Sequence, residues 1–321
     1  RAGGRRMTDA LLALWSGAFG SSYAVWSATL VRATPLLLLG LSVATAFRAG
    51  ILNIGAEGQL LAGAMAAAAV GLAASEWPRA LAVAAMLVAG ILAGAGWAFI
   101  AAALRRWFGV LEVISTIMLN FLALHLVSWL VRGPLQEPTR TNPQSATLPD
   151  VAHWPTLIPG HRLHLGFLLG LGLAVALWVM WRHTAVGFRL RTVGLSARAA
   201  ASAGRIAVDR TVMGAFLLSG AIAGLAGASE VGGVTWGLYD GISPGYGYTA
   251  IAVALLARLD PRAVVPSAVF FGALEAGAAA MQRDAGVPAV VVQVIVAVVV
   301  LTVVAVDEWR RTRAARGVGN V

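Results

Sequence analysis

The side chains best suited to bind a polar molecule begin in a short segment, FRAGILNIGAEGQ at residues 47–59, between two long apolar runs. Asn53, Glu57 and Gln59 supply amide and carboxylate groups that donate or accept hydrogen bonds. In an apolar setting such groups are tolerated where they face protein, backbone or a water-filled path. The segment predicts a broken helix whose polar groups line or gate a passage. Asn53 as a helix N-cap and Glu57 as a first-turn carboxylate are the structural alternatives.

A second polar group lies in GVLEVISTIMLN, residues 109–120. Ser115, Thr116 and Asn120 fall on nearly one face of the predicted helix, because spacings of four and five residues are close to one turn. Ser and Thr can instead bond to carbonyls of their own helix. An unpaired amide is costly in an apolar environment, so Asn120 is the strongest of these three candidates.

A second glycine-rich interruption, at residues 236–249, ends in Tyr246, Tyr248 and Thr249. Aromatic rings beside glycine turns suit a hydrophilic ligand that contains a ring, and an interfacial aromatic belt is the alternative. Glu275 lies near the centre of a later apolar run, where a carboxylate must be paired, protonated or exposed to water. Proton coupling through Glu275 would need a relay of further acids or histidines, and we find none in the sequence.

The composition identifies a lipid bilayer as the setting of these groups. The 321 residues are 59% hydrophobic and 12% charged, with a mean hydropathy of +0.80, whereas ordinary globular domains carry about 25% charged residues. Apolar runs of about 20 residues match helical spans of the hydrocarbon core. The weak alternating segments of a membrane barrel are missing. The sequence therefore predicts an all-α, polytopic helical membrane protein.

Residue content excludes several chemistries. The chain has no cysteine, which excludes disulfides and cysteine nucleophiles, and its five histidines show no metal-binding spacing. All 24 basic residues are arginines, so the lysine-containing P-loop of many ATPases cannot form. We predict no catalytic residue, no metal site and no cofactor bound by this chain. The net charge of +10 could attract nucleic acid, but we do not expect a nucleic-acid partner.

Nine apolar segments are predicted to span the membrane. They cover residues 29–48, 57–74, 80–104, 111–131, 164–181, 211–229, 246–259, 263–282 and 288–306. Residues 1–28 are expected to lie at the extracytoplasmic interface, because the few residues around Arg32 leave little chain for a turn into the first span. With nine spans the N-terminus lies opposite the C-terminus, so a further first helix is expected upstream.

Arginine positions predict the orientation. The loop at residues 182–210 holds six arginines and one acid, and the same side of the membrane collects fifteen arginines against nine on the other. By the positive-inside rule this loop and the basic tail at residues 307–321 are cytoplasmic. The Pro-, Thr- and Ser-rich segment at residues 132–163 is then an extracytoplasmic loop or cap.

The two halves of the chain show a weak internal symmetry. Each half carries a glycine-rich break just before an apolar run, and paired interruptions of this kind point to the substrate path of a transporter. The pairs Gly90/Gly94 and Gly220/Gly224 are GxxxG motifs, which let membrane helices approach closely. General closeness in a bundle rich in alanine and glycine is the alternative for both pairs.

The cytoplasmic loop contains one further predicted element, TVGLSARAAASAGRIAVDR. Residues 196–203 are predicted to form a short alanine-rich helix that Gly204 ends as a C-cap. A helix of small residues outside the membrane buries little surface of its own. We therefore expect it to dock into a groove of a partner protein.

Four motifs together resemble the permease subunits of ABC importers: FRAGILNIGAEGQ, EVISTIMLNF, GLSARAAASAG and GYGYTAIAVALLARLDP. The resemblance is to the branched-chain amino acid/ribose-type permeases, and among these to the nucleoside (guanosine-type) uptake permeases. It covers nearly the whole chain, from about residue 18 to residue 306. It implies a bundle of about ten spans in a bacterial cell membrane.

The resemblance also implies the partners and the division of labour. A separate ATP-binding cassette ATPase would bind ATP and Mg²⁺, a second related permease would complete a heterodimer, and an extracytoplasmic lipoprotein would deliver the substrate. The alanine-rich helix would be the coupling helix that docks on the ATPase, through Ser196, Arg198, Ala199, Ala200 and Gly204. At one position the sequence departs from the family pattern, since Arg198 stands where this family commonly has an acid.

Three functions remain for comparison. A nucleoside importer is the first, a simple-sugar (ribose-type) ABC permease is the second, and an ion-coupled secondary transporter is the third. A membrane-embedded enzyme would need a convergent acid/base or metal set, which the scattered histidines and missing cysteines do not provide.

Overall fold

The computed structural model describes residues 2–204 and 206–288, together with residues 290, 294, 297, 298, 301, 302, 305 and 306. The α-helices among these residues are α1 Ala2–Phe19, α2 Leu30–Arg48, α3 Ala56–Ala73, α4 Arg79–Phe108, α5 Glu112–Arg132, α6 Leu165–His183, α7 Ala185–Leu195, α8 Ala197–Gly204, α9 Val208–Glu230, α10 Tyr246–Leu256 and α11 Pro261–Ala285. π-Helical turns, Ala24–Thr29 and Val231–Thr235, precede α2 and follow α9. The described residues form no β-strand, which confirms the all-α class.

Seven helical segments in the described part of the chain are long and apolar enough to cross a membrane. They are Ala24–Arg48, Ala56–Ala73, Arg79–Phe108, Glu112–Arg132, Leu165–His183, Val208–Thr235 and Pro261–Ala285. They correspond to seven of the nine predicted spans. About half of the predicted span at 288–306 lies outside the described residues, and the predicted tail at 307–321 lies wholly outside them.

The prediction of a full span at residues 246–259 is wrong. The helix there, α10, has 11 residues, which at 1.5 Å per residue is about 16 Å and only half of the hydrocarbon core. Its length is limited at both ends by left-handed backbone. Gly245 has φ +97° before it, and Arg258 and Leu259 have φ +50° and +59° after it.

The N-terminal segment forms a helix that packs on the C-terminal half of α11. A Cβ atom on Gly17 would lie 2.2 Å from Cβ of Ala280, so the two helices touch backbone to side chain. The chain bends at residues 20 and 21, and the span begins at Ala24 rather than at residue 29. A short bend is therefore enough to separate the two helices. The interfacial position of residues 1–28 stays a prediction.

Close approach of α3, α4 and α9 forms the centre of the bundle. A Cβ atom on Gly94 would lie 2.2 Å from the carbonyl oxygen of Gly220, and one on Gly224 would lie 2.1 Å from that of Gly90. The two GxxxG pairs therefore face each other, which is a specific contact rather than general closeness. Gly63 of α3 makes a similar approach to Gly224.

The loop at residues 133–163 covers one end of the bundle and pairs with the second break. Ser145 donates its amide hydrogen to the Leu238 carbonyl over 2.7 Å, and Trp154 donates to Gly232 over 2.9 Å. These bonds satisfy backbone groups that the interrupted helix leaves without partners. The loop therefore helps to stabilise the non-helical backbone of the second break.

His164 fastens the end of this loop to the bundle. Its Nδ1 accepts a hydrogen bond from the amide of Gly166 at 3.2 Å and so caps α6. Its ring packs edge-on against Trp154, with ring centroids 6.3 Å apart. Burial, with a smaller contribution from the positive charge of Arg162, lowers the pKa of His164 to about 4. The imidazole is thus neutral at neutral pH, as an accepting Nδ1 requires.

Ion pairs distinguish the two ends of the bundle. At one end Arg106 of α4 lies 3.2 Å from Asp209 and ties the predicted cytoplasmic loop to the helices. At the opposite end Arg132 lies 2.7 Å from Asp240 and ties α5 to the second break. We call the end that carries Arg106 the arginine-rich end.

Replacing Gly94 by alanine is expected to lower the thermal unfolding midpoint of the detergent-purified protein. The added methyl group would overlap the carbonyl oxygen of Gly220, and overpacking of this kind costs roughly 1–3 kcal/mol. Gly96→Ala on the same helix is the matched control, because open space surrounds Gly96. Equal midpoints for the two variants would contradict the close packing of α4 on α9.

Candidate functional site

The two glycine-rich breaks meet inside the bundle. The amide of Gly247 donates a hydrogen bond to Oε2 of Glu57 at 2.6 Å, and the hydroxyl of Ser243 bonds to the same carboxylate. Glycine is needed at position 247, because a Cβ atom there would lie 2.4 Å from the backbone nitrogen of Glu57. Glu57 begins α3 in sequence but caps α10, the helix of the other half.

Asn120 of α5 caps α3 in the same way. Its Oδ1 accepts the amide hydrogen of Gly58 at 2.8 Å, and its Nδ2 donates to the carbonyl of Ile54 at 2.9 Å. Nδ2 also lies 3.1 Å from the hydroxyl of Tyr248. Asn120 therefore connects both breaks, and its amide is satisfied at membrane depth.

Both polar atoms of the Asn53 side-chain amide are hydrogen-bonded to other groups of the protein. Its Nδ2 donates to Oε1 of Gln59 at 3.0 Å and to Oγ of Ser219 at 2.9 Å. Its Oδ1 accepts from the amide of Gly55 at 3.0 Å and from Nε2 of Gln59 at 3.1 Å. Ser219 in turn exchanges hydrogen bonds with Ser42 of α2. This network joins the first break to α2 and α9.

Ser115 and Thr116 bond to carbonyls of their own helix. Oγ of Ser115 donates to the carbonyl of Glu112 at 3.1 Å, and Oγ1 of Thr116 donates to the same oxygen at 2.7 Å. The side chain of Thr116 also touches Gly55, where a Cβ atom would lie 2.9 Å from it. Both residues thus follow the intrahelical alternative, and Thr116 also packs against the first break.

A cavity of about 980 Å³ opens beside the second break, between α10 and α11. The predicted pathway residues that line it are Tyr246, Tyr248, Thr249 and Glu275. The other predicted pathway residues are buried in the protein instead: Asn53, Glu57, Gln59, Ser115, Thr116 and Asn120. The hydroxyl of Tyr248 connects the two groups through Asn120. A contact between any of these ten residues and a substrate stays a prediction.

Arg32 and Glu230 also line the cavity, and sequence reasoning missed both. Glu230 is buried and ends α9, directly after an apolar run. A search for every carboxylate next to a predicted span, rather than only within one, would have found it. Arg32 lies within the predicted first span at 29–48, and in the structure α2 carries it inside the bundle beside the cavity.

The charges of the cavity combine two carboxylates with one guanidinium. Glu230, Glu275 and Arg32 all line this cavity, so two acidic groups share it with one basic group. The cavity therefore offers carboxylate acceptors, a guanidinium donor and tyrosine rings to a polar molecule. In the part of the chain that the structure describes, no group of three or more histidine or acidic side chains could hold a metal ion.

At the arginine-rich end, α7 and α8 form an exposed helical pair. Ser196 caps α8, since its Oγ accepts the amide hydrogen of Ala199 at 3.3 Å. Arg198 and Ala199 are exposed, whereas Ala200 is fully buried against its own chain. Gly204 is the last residue of α8 rather than a cap beyond it. Arg198 and Ala199 are therefore accessible on the outer face of α8, and Ala200 anchors the helix.

The pair is held close to the membrane-spanning helices by a glycine contact. A Cβ atom on Gly194 at the end of α7 would lie 2.2 Å from the carbonyl oxygen of Arg48. The neighbouring Leu195 is nevertheless 82% exposed, and Phe188 is 61% exposed. Large apolar side chains that stay exposed on a fixed helix are typical of an interaction surface.

Comparison with known proteins assigns the family. Residues 25–305 match the family described as branched-chain amino acid transport system / permease component. The chain belongs to this family of membrane permeases. The resemblance found in the four sequence motifs is thereby confirmed.

Three relatives cover most of the chain. It is 40% identical to the guanosine ABC transporter permease protein NupP of Bacillus subtilis, over 91% of this chain and 84% of NupP. It is 39% identical to the glucose ABC transporter permease protein TsgB13 of Haloferax volcanii, over 88% of this chain and 77% of TsgB13. It is 31% identical to the nucleoside ABC transporter permease protein NupB of Lactococcus lactis, over 89% of this chain and 80% of NupB.

Replacing Glu57 by alanine is expected to destabilise the protein by about 1–3 kcal/mol, because the buried amide of Gly247 would lose its acceptor. Glu57→Gln keeps an oxygen at this position, so its unfolding midpoint should lie between those of the wild type and Glu57→Ala. Thermal unfolding of the purified variants measures the difference. A wild-type midpoint for Glu57→Ala would show that the contact between the breaks contributes nothing.

Proposed function

We propose that this chain is the membrane permease subunit of an ATP-driven importer of nucleosides. The observation that carries the proposal is the match to two nucleoside-type permeases, NupP and NupB, over about nine-tenths of the chain. The chain has no lysine, so ATP hydrolysis falls to a separate ATP-binding cassette subunit. A second related permease and an extracytoplasmic substrate-binding lipoprotein complete the proposed assembly.

The cavity beside the second break is the proposed substrate path. Ribose hydroxyls and base N–H groups donate hydrogen bonds, and the carboxylate oxygens of Glu230 and Glu275 can accept them. Tyr246 and Tyr248 provide aromatic surface for a base. A volume of about 980 Å³ is at the upper end of ordinary small-molecule sites, which run from about 300 to 1,000 Å³.

A simple sugar is the second candidate substrate. TsgB13, a glucose permease by name, is about as similar to this chain as NupP is. Sugar hydroxyls are also donors, so Glu230 and Glu275 would serve either substrate. A nucleoside differs from a simple sugar in carrying a flat base, and the tyrosine rings of the cavity provide a surface on which such a base can stack.

The helical pair α7–α8 is the proposed coupling surface. It lies at the arginine-rich end, which we assign to the cytoplasm because of the positive-inside rule. Closure of the ATPase dimer would move the pair, and the contact of Gly194 with Arg48 would carry the motion to α2. This chain has Arg198 at a position where the family commonly has an acid. Its contact on the ATPase would therefore be an acidic or polar group.

Uptake into proteoliposomes by the complete transporter tests the substrate and the cavity together. We expect ATP-dependent uptake of guanosine that excess glucose does not inhibit. Glu275→Gln is expected to raise KM about tenfold, through the loss of one charge-assisted hydrogen bond worth roughly 1.5 kcal/mol or more. Asp284→Asn is the matched control on the same helix, because Asp284 is exposed and pairs with Arg283.

The same measurements separate the alternatives. Uptake of glucose but not of guanosine would assign the chain to the sugar permeases. Uptake that follows a pH gradient without ATP, and that Glu275→Gln abolishes together with its pH dependence, would indicate a secondary transporter. An unchanged KM in Glu275→Gln would remove the cavity from the substrate path while leaving the import function intact.

Replacing the exposed Ala199 by arginine is expected to uncouple the transporter. A large charged side chain on the docking face should reduce ATP-dependent uptake at least tenfold, while the unfolding midpoint stays within about 2 °C of wild type, as is usual for surface changes. Glu76→Arg, an exposed change at the opposite end, is the control. Normal uptake in Ala199→Arg would contradict the assignment of α8 as the coupling helix.

A further inference from the structure

A polar pocket at the arginine-rich end is distinct from the proposed substrate cavity. It lies where α2, α6 and α7 meet the start of α11, and its volume is about 420 Å³. The charged residues that line it are Arg48, Arg182, Arg191, Arg262 and Asp260. The proposed transport cycle uses none of them to contact substrate.

The pocket has an excess of positive charge that its own acid does not neutralise. Asp260 is already engaged by Arg262, whose Nε and Nη2 donate to its two oxygens at 3.3 and 3.1 Å. These hydrogen bonds hold the pKa of Asp260 below its usual range, so the carboxylate is ionised and occupied. Among the described residues, no carboxylate lies within 4 Å of the other three guanidinium groups.

Arg48 is the most enclosed of these arginines. Its guanidinium carbon lies 4.6 Å from the centre of the Trp181 ring, over the ring face. Its Nε is buried and has no hydrogen-bond partner in the described part of the chain. Arg191 lies close enough to repel it. A buried unpaired donor beside a like charge is unfavourable unless an anion joins the two.

The position of the pocket relative to the bilayer indicates which anion. Trp178 and Trp181 lie in the last turns of α6, and tryptophans mark the headgroup level of a membrane. Arg262 lies 5.2 Å from the centre of the Trp178 ring, so α11 borders α6 here. One turn deeper in each helix, Val175 and Pro266 are exposed. Apolar surface for acyl chains therefore continues directly from the pocket.

We propose that this pocket binds the phosphate headgroup of an anionic phospholipid. Arginine forks match phosphate oxygens in charge and geometry, and basic pockets between membrane helices bind anionic headgroups. The acyl chains lie on the exposed surface between α6 and α11. Free phosphate would lack these apolar contacts, and so would a carboxylate of a partner subunit, which is why the position of the pocket favours lipid.

The bound lipid connects the membrane-spanning helices to the helical pair outside them. Arg48 belongs to α2, Arg182 lies near the end of α6, and Arg191 belongs to α7. One phosphate held by these three groups fixes α7 against the bundle. The same α7 carries the proposed coupling surface, so the lipid also positions that surface.

Lipid titration of the full-length purified protein, followed by native mass spectrometry, tests the proposal. We expect phosphatidylglycerol to bind more tightly than phosphatidylcholine with the same acyl chains. Removing one arginine near a headgroup weakens binding about fivefold, so Arg182→Gln combined with Arg191→Gln should weaken phosphatidylglycerol binding roughly 25-fold. Arg182 and Arg191 are exposed, so this double variant is suited to test binding without loss of folding, unlike a change at the enclosed Arg48.

Arg189→Gln is the matched control, because Arg189 is exposed on the same α7 but lies outside the pocket. Its affinity for phosphatidylglycerol should equal that of the wild type. An equal loss in the control and the double variant would overturn the proposal, as would equal binding of the two lipids. Displacement of the lipid by inorganic phosphate at equal concentration would assign the pocket to the free ion. Loss of a co-purified ATPase subunit with unchanged lipid binding would assign it to a protein carboxylate.

Discussion

A lipid bilayer contains no water that could hydrogen-bond an interrupted helix, so each break in this bundle depends on acceptors from elsewhere in the chain. The hydrogen bond from Gly247 to Glu57, 2.6 Å long, is where the two breaks satisfy each other. Oδ1 of Asn120 likewise accepts a hydrogen bond at the start of α3, from the amide of Gly58 at 2.8 Å. Because both acceptors are distant in sequence, the two breaks and α5 form one cooperative hydrogen-bonded unit.

This unit separates a dense part of the bundle from an open part. On one side α3, α4 and α9 pack at glycine contacts so close that an added methyl group would overlap backbone atoms. On the other side α10 reaches only about half-way across the hydrocarbon core, and the cavity with Glu230 and Glu275 occupies the space beside it. The dense part is closely packed, and the open part exposes polar groups to a cavity.

The arginines inside the bundle and those at the arginine-rich end have different electrostatic surroundings. Arg32, inside the bundle, balances two carboxylates in the cavity. Arg48 and Arg191, at the arginine-rich end, repel each other across a pocket whose acid is already paired. The first arrangement combines opposite charges, and the second is an excess of positive charge. A single net charge of +10 for the chain conceals this difference.

The sequence by itself determined the all-α membrane class, seven of the spans and both breaks, because hydropathy and glycine content act locally along the chain. Only the tertiary structure decided which residues hydrogen-bond to each other and which line the same cavity. Asn53 could have faced a passage, but Gln59 and Ser219 occupy its amide. Glu57 could have capped its own helix, but it caps α10. Arg32 and Glu230 became part of one cavity because α2 packs on α10 and α11 and the end of α9 reaches the same space. Such choices depend on which helices are neighbours, and no local pattern encodes that.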